Sequence, residues 1–233
     1  MNTAVAYEWH RARSLRSTWA LLLAAGLLAF ASGLYWGAKT DLGTLDAFDS
    51  SLGLPLTLGA ALIAAVGVCA FGLDYQHGTM HTTRLVLRFP ARIVAAKAVV
   101  AGGLSLVGGV LVTGLAAAGV LLAGGSPGGG VTHVLLRGVG VLLLALLSGL
   151  VGLALGGLLR HTAVGTGVFL VWTLVAETAL GGFLEVPLTS LPFRGTALLF
   201  AGSAPPWFAA LLFALVAAVG LTAVGFTLAR RDS

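Results

Sequence analysis

Residues 134–159 read VLLRGVGVLLLALLSGLVGLALGGLL, and this stretch decides the fold. A helix needs about 20 apolar residues, each rising about 1.5 Å, to cross the hydrocarbon of a bilayer. The stretch is long enough, and its single charge, Arg137, falls in the first turn. A long basic side chain there could snorkel to the interface. Five more runs of the same character lie at about Thr18–Trp36, Leu52–Leu73, Ile93–Leu122, Thr162–Leu184 and Trp207–Leu228. Lys97, in the first turns of the third run, is likewise placed to snorkel. Deep within the runs the only full charge is Glu177. The expected fold is therefore an all-α integral membrane protein, one transmembrane domain over residues 1–233 with six transmembrane helices.

Composition excludes the soluble classes. The chain is 58% hydrophobic and 9% charged, with a mean hydropathy of +1.02, against about 25% charged residues in a soluble domain. The formal net charge of +5 follows from membrane topology, because basic residues collect beside the cytosolic leaflet. It does not call for nucleic acid. Cys69 is the single cysteine, so an intrachain disulfide or a four-cysteine metal site is excluded. The first run is itself long enough to span, so no cleaved signal peptide is expected.

Orientation follows from lysine and arginine in the links. With both termini in the cytosol, the inner side holds Arg11, Arg13, Arg16, Arg84, Arg88, Arg92, Lys97, Arg160, Arg230 and Arg231. The outer side holds only Lys39, Arg137 and Arg194. The expected location is the cell membrane, multi-pass, with lipid as the surrounding partner. Arg160 and His161 alone separate the fourth and fifth runs, which makes that link a tight hairpin. Residues 126–130, SPGGG, break the chain between the third and fourth. Residues 184–206 are either an outer loop or a small lid of broken helices on the bundle. The lid is preferred, because Phe193, Leu198, Leu199 and Phe200 are costly to expose. Its apolar part, 195–202, is too short to span and reads as a re-entrant or interfacial piece.

Four features stand out within this frame. Residues 7–16, YEWHRARSLR, read as an interfacial helix or as a plain basic flank. Residues 71–97 are polar and basic, with Arg84, Arg88 and Arg92 four apart and Pro90 breaking the helix before the third run. A surface helix there can carry force from a cytosolic partner; a basic loop without one fits the composition equally. His77 and His81 are also four apart, but Gly78 follows the first and the segment has no glutamate, so no zinc-protease site is built. Glu177 must face the bundle interior or water, and Thr173 and Thr178 are its nearest hydroxyl partners in sequence. It is read as a structural polar contact or as a proton or cation contact. Finally, Gly102, Gly103, Gly108, Gly109 and Gly114, with Gly149, Gly152, Gly156 and Gly157, read as close helix packing. They do not form phosphate-binding loops.

The whole chain resembles the permease subunit of an ABC-2 type ABC transporter. The local likeness is Asp74-x-x-x-Gly78-Thr79, then Phe89-Pro90-x-Arg92 and Lys97, with Asp74 where such proteins usually carry glutamate. The resemblance implies a permease without its own ATPase, paired with a second permease copy or a homologous permease. A separate cytosolic ATP-binding subunit would dock beneath each half. It implies a cytosolic coupling helix at about Asp74–Arg88, an amino-terminal connecting helix and outer re-entrant helices before the last span. Asp74, Gly78, Thr79, Arg84, Arg88, Pro90, Arg92 and Lys97 become coupling or structural residues. No catalytic residue, metal or cofactor is expected, and export is the commoner direction for the type. A non-transporting scaffold for a cytosolic partner shares every topological feature. An intramembrane protease does not fit: His133 and His161 both sit at span ends, and the spans carry no paired aspartates.

Overall fold

The computed structural model describes residues 2–39, 46–79, 89–126, 130–201 and 206–230. The described chain is helical throughout, without strands. A short helix α1, Asn2–Ser14, precedes α2, Arg16–Gly37, then α3, Ala47–Gln76, and α4, Pro90–Leu122. They are followed by α5, Gly130–Leu159, α6, Thr162–Phe183, a 3-10 turn at Leu188–Ser190, α7, Pro192–Ala197, and α8, Trp207–Arg230. Six of these helices, α2 to α6 and α8, are long and apolar enough to cross a membrane.

Local chemistry sets the ends of these helices. Asp46 caps α3 by accepting the Phe48 amide at 2.8 Å, which satisfies one of the orphan donors of a helix start. Pro90 occupies the first position of α4, where a missing N–H and a fixed φ are no handicap. The chain leaves α3 through Gly78, whose φ of +68° is a left-handed conformation that a side chain would strain. The α5–α6 link is Arg160 and His161, as the sequence indicates.

α3 and α5 form the centre and are the most buried of the six long helices. α3 has 30 residues, or ~45 Å of helix, so its ends stand clear of a hydrocarbon layer ~30 Å thick. The two helices cross with almost no side chain between them. A Cβ on Gly152 would fall on the Ala64 carbonyl oxygen, and one on Gly67 would fall on the Gly149 carbonyl oxygen. Other glycines do not pack in this way: a Cβ on Gly103 or Gly114 would meet nothing within 4 Å. Around the crossing lies the main core, with Phe48, Leu52, Leu56, Leu144, Phe169 and Phe213.

Both described ends of the chain lie at one end of the bundle, here the basal end. α1 is tied there to the end of α3 and the start of α4. The last turns of α8, Val224 and Leu228, pack with Phe71, Ile93 and Val94. At the opposite end, the 3-10 turn and α7 lie against the bundle as a lid. Phe193 and Leu199 of that segment are buried, while Leu198 is partly exposed.

Candidate functional site

Two polar constellations sit at the two ends of the bundle. At the basal end, Lys97 does not snorkel. It is 1% exposed, and its ammonium donates to Glu8 Oε2 at 3.0 Å, Asp74 Oδ2 at 2.7 Å and the Ala70 carbonyl at 2.8 Å. Its Nζ also lies 5.1 Å from the centre of the Phe71 ring. Three donors therefore meet three acceptors. The guanidinium of Arg11 reaches Asp74 with both terminal nitrogens, Nη1 at 2.7 Å from Oδ2 and Nη2 against Oδ1, the bidentate arrangement that suits a carboxylate. The Thr79 hydroxyl donates to Asp74 Oδ1 at 2.8 Å.

Glu8, Arg11, Asp74 and Lys97 thus make a neutral cluster of two acids and two bases. It joins α1, α3 and α4. Asp74 lies in the last turns of α3 and is wholly buried, so it is not a surface residue of a separate coupling helix. Arg92 is exposed, with its guanidinium 4.7 Å from the centre of the Phe89 ring. Arg84 and Arg88, the body of the expected coupling helix, and His81 lie outside the described residues. Glu8 and Arg11 were not singled out by sequence. Their signal is the helical spacing of three, which points both at the buried face of α1 next to Ala4.

At the lid end, Arg137 also does not snorkel. It is buried, and its Nε donates to Asp49 Oδ1 at 2.7 Å. Its Nη1 reaches the carbonyls of Ala197 at 3.2 Å and Leu199 at 2.7 Å. His133 Nε2 lies 3.0 Å from Asp49 Oδ2 and 3.7 Å from Asp46 Oδ2. Asp46 and Asp49, at the start of α3, therefore have partners in the first turns of α5. The ligand atoms of Asp46, Asp49 and His133 lie within 4.8 Å of one another, and the other oxygen of Asp49 is held by Arg137.

Glu177 is wholly buried, and neither Thr173 nor Thr178 is its partner. Its carboxylate accepts the backbone amide of Phe193 at 2.9 Å, the amide of Arg194 at 2.8 Å and the indole N–H of Trp172 at 3.1 Å. Thr173 bonds its hydroxyl to the Phe169 carbonyl, and Thr178 accepts from Arg194 Nη2 at 2.6 Å. Two of the orphan donors at the start of α7 are thereby satisfied by a side chain sixteen and seventeen residues earlier. Residues Val171–Ala176 of α6 form a π-helical turn immediately before Glu177. Such a turn holds one more residue than an α turn, and it rotates the helix beyond it. The first residue beyond it is Glu177, whose carboxylate receives α7.

The lid is seated by aromatic contacts as well. Phe193 stands edge-on between Phe169 and Phe213, with ring centres 6.0 and 6.1 Å apart. Between the lid, α3 and Arg137 of α5 lies a cavity of about 370 Å³ lined by Asp49, Leu56, Thr57, Arg137, Arg194 and Leu198 among others.

A scan against protein-family models finds no match for the chain, and a search of curated proteins finds none. What the chain shows is a multi-span, all-helical membrane protein with a charged junction at each end.

Proposed function

We propose that this chain is the membrane-spanning subunit of an ATP-driven transporter of the ABC-2 type, an exporter, with ATP hydrolysis on a separate cytosolic subunit. The observation that carries the reading is the buried cluster of Glu8, Arg11, Asp74 and Lys97. It welds the amino-terminal helix, the end of α3 and the start of α4 into one junction on either side of the basic segment 77–92. A push delivered to that segment is passed to three helices together, because breaking a buried ion pair costs about 3–5 kcal/mol. Asp74 and Lys97 are also among the residues on which the family resemblance rests.

In this reading the basal end faces the cytosol, as the excess of arginine there requires. Two such subunits, identical or homologous, pair in the cell membrane. The apolar residues that α6 exposes in its outer half, Val171, Val175 and Phe183, face lipid or that second subunit. The present chain supplies no catalytic group, metal or cofactor. Arg84 and Arg88 are the contacts to the ATP-binding subunit.

The test is co-purification. Reversing both charges, Arg84→Glu with Arg88→Glu, should reduce recovery of a co-expressed ATP-binding subunit. Recovery equal to that of the unaltered protein removes the coupling assignment. Ligands that stimulate ATP hydrolysis by the purified pair would then define the cargo.

A further inference from the structure

We propose that the cavity beneath the lid is a binding site for an amphiphile with an anionic head, a carboxylate or a phosphate. Its volume of about 370 Å³ lies within the ~300–1,000 Å³ typical of small-molecule sites. Its make-up is also typical: an apolar wall with a few polar groups placed at one end. Leu52, Leu56, Leu188, Phe193 and Leu198 supply the apolar surface. Asp49, Arg137 and Arg194 supply the charges, one carboxylate against two guanidiniums.

The sign of the ligand follows from which groups are already engaged. Asp49 has both oxygens occupied, Oδ1 by Arg137 Nε and Oδ2 by His133 Nε2. It has little left to offer a cation. The guanidiniums are only partly used. Arg137 donates through Nε and Nη1, and the Arg194 side chain donates through Nη2. Among the described residues nothing accepts from Arg137 Nη2 or from Arg194 Nε and Nη1. The spare hydrogen-bonding capacity of the charged end is therefore donor-only, which selects an anion.

The body of the ligand follows from the rest of the wall. The lining of α3 runs from Asp49 to Thr57, a rise of ~12 Å along the helix directed into the bundle. Beyond the charged end its polar group is the Thr57 hydroxyl, and the remainder is hydrocarbon. A small inorganic anion would leave that surface uncovered, whereas an acyl or alkyl chain fills it. This assignment needs no ATP-binding partner and stands or falls independently of the transporter reading.

Native mass spectrometry of the full chain released from neutral detergent tests it. The probes are dodecyl phosphate, dodecyltrimethylammonium, inorganic phosphate and dioleoyl phosphatidic acid. Dodecyl phosphate should form a one-to-one adduct at concentrations where the cationic probe and inorganic phosphate form none. Arg194→Gln should weaken that adduct by about tenfold or more, since hydrogen bonds to charged groups carry that much, and Leu198→Glu should weaken it by setting a carboxylate in the wall against the anionic head. Leu198 is 38% exposed, so Leu198→Glu keeps the fold even if Arg194→Gln loosens the lid. Competition by phosphatidic acid identifies a membrane lipid as the source. Its failure to compete identifies a free single-chain amphiphile, and either result supports the site. Equal binding of the cationic probe, saturation by inorganic phosphate alone, or unchanged binding by both variants overturns it.

Discussion

Arg137 and Glu177 hold opposite ends of the same short helix. Glu177 accepts the first free amides of α7, and Arg137 donates to the carbonyls of Ala197 and Leu199 at its close. The acid comes from α6 and the base from α5. Each satisfies the backbone groups that a helix end leaves without partners. The lid is thus bound by the bundle much as a ligand would be, and its position reports on the relative placement of α5 and α6.

Glu177→Gln tests this arrangement. Glutamine keeps one acceptor oxygen but turns an NH2 group toward a backbone amide, so one buried donor loses its partner. The expected loss is about 1–3 kcal/mol, concentrated in the lid. A cysteine introduced at Leu198 should react faster with a thiol reagent in this background, with helix content by circular dichroism unchanged. Equal reaction rates would show that the carboxylate does not hold the lid.

At the basal end, the prediction concerns the pair Asp74 and Lys97. Lys97→Met takes the ammonium from two buried carboxylates, leaving Asp74 with Arg11 and Thr79, and Asp74→Asn takes a carboxylate from two cations. Each single change should lower thermal stability substantially, by about 3–5 kcal/mol for the lysine. The double variant should lose less than the sum, with a coupling of about 0.5–3 kcal/mol. Strict additivity in a thermal-unfolding cycle would mean that the two do not interact.

The α3–α5 crossing predicts a sharp contrast among glycines. Gly152→Val places carbon on the Ala64 carbonyl, a backbone atom that cannot step aside. It should cost at least the ~1–3 kcal/mol of an overpacked core, seen as lost monodisperse yield. Gly114→Ala, where the new methyl meets nothing within 4 Å, should leave yield and Tm unchanged or raise them slightly. Similar losses for both would remove the close crossing.

Orientation is checked by labelling in a Cys69→Ser background. Ser126 and Gln76 are both exposed, at opposite ends of the bundle. A cysteine at Ser126 should react with an impermeant reagent on intact cells. One at Gln76 should react only after permeabilisation, and the reverse pattern would invert the topology.

Much of the frame was legible because lipid imposes a simple rule. A run such as 134–159 has no alternative to a spanning helix, so six helices and the two-residue α5–α6 turn followed from composition and length alone. Pro90 reads in the sequence as a break before a run that starts near Ile93, whereas in the structure it is itself the first residue of α4. The charges near span ends were misread for a definite reason. Lys97 and Arg137 have stems long enough to reach an interface, and nothing in the order of residues says that Glu8, Asp74 or Asp49 stands close enough to hold them inside. The glycine pattern was half legible. Gly152 packs as expected, whereas Gly103 and Gly114 face outward, and spacing cannot tell which face meets a neighbour.

The sequence by itself determined that this membrane protein is helical, has six runs long and apolar enough to cross a bilayer, and keeps its charge, Glu177 apart, near the ends of those runs. The cost of placing backbone and charge in hydrocarbon leaves no other choice. Only the tertiary structure decided which charges meet. Glu8 and Lys97 are 89 positions apart, Arg137 and Asp49 are 88, and Glu177 finds two of its partners at the start of α7, sixteen and seventeen residues on. Such pairings depend on helix rotation and on turns like the π segment before Glu177, where a single extra residue changes what a side chain faces.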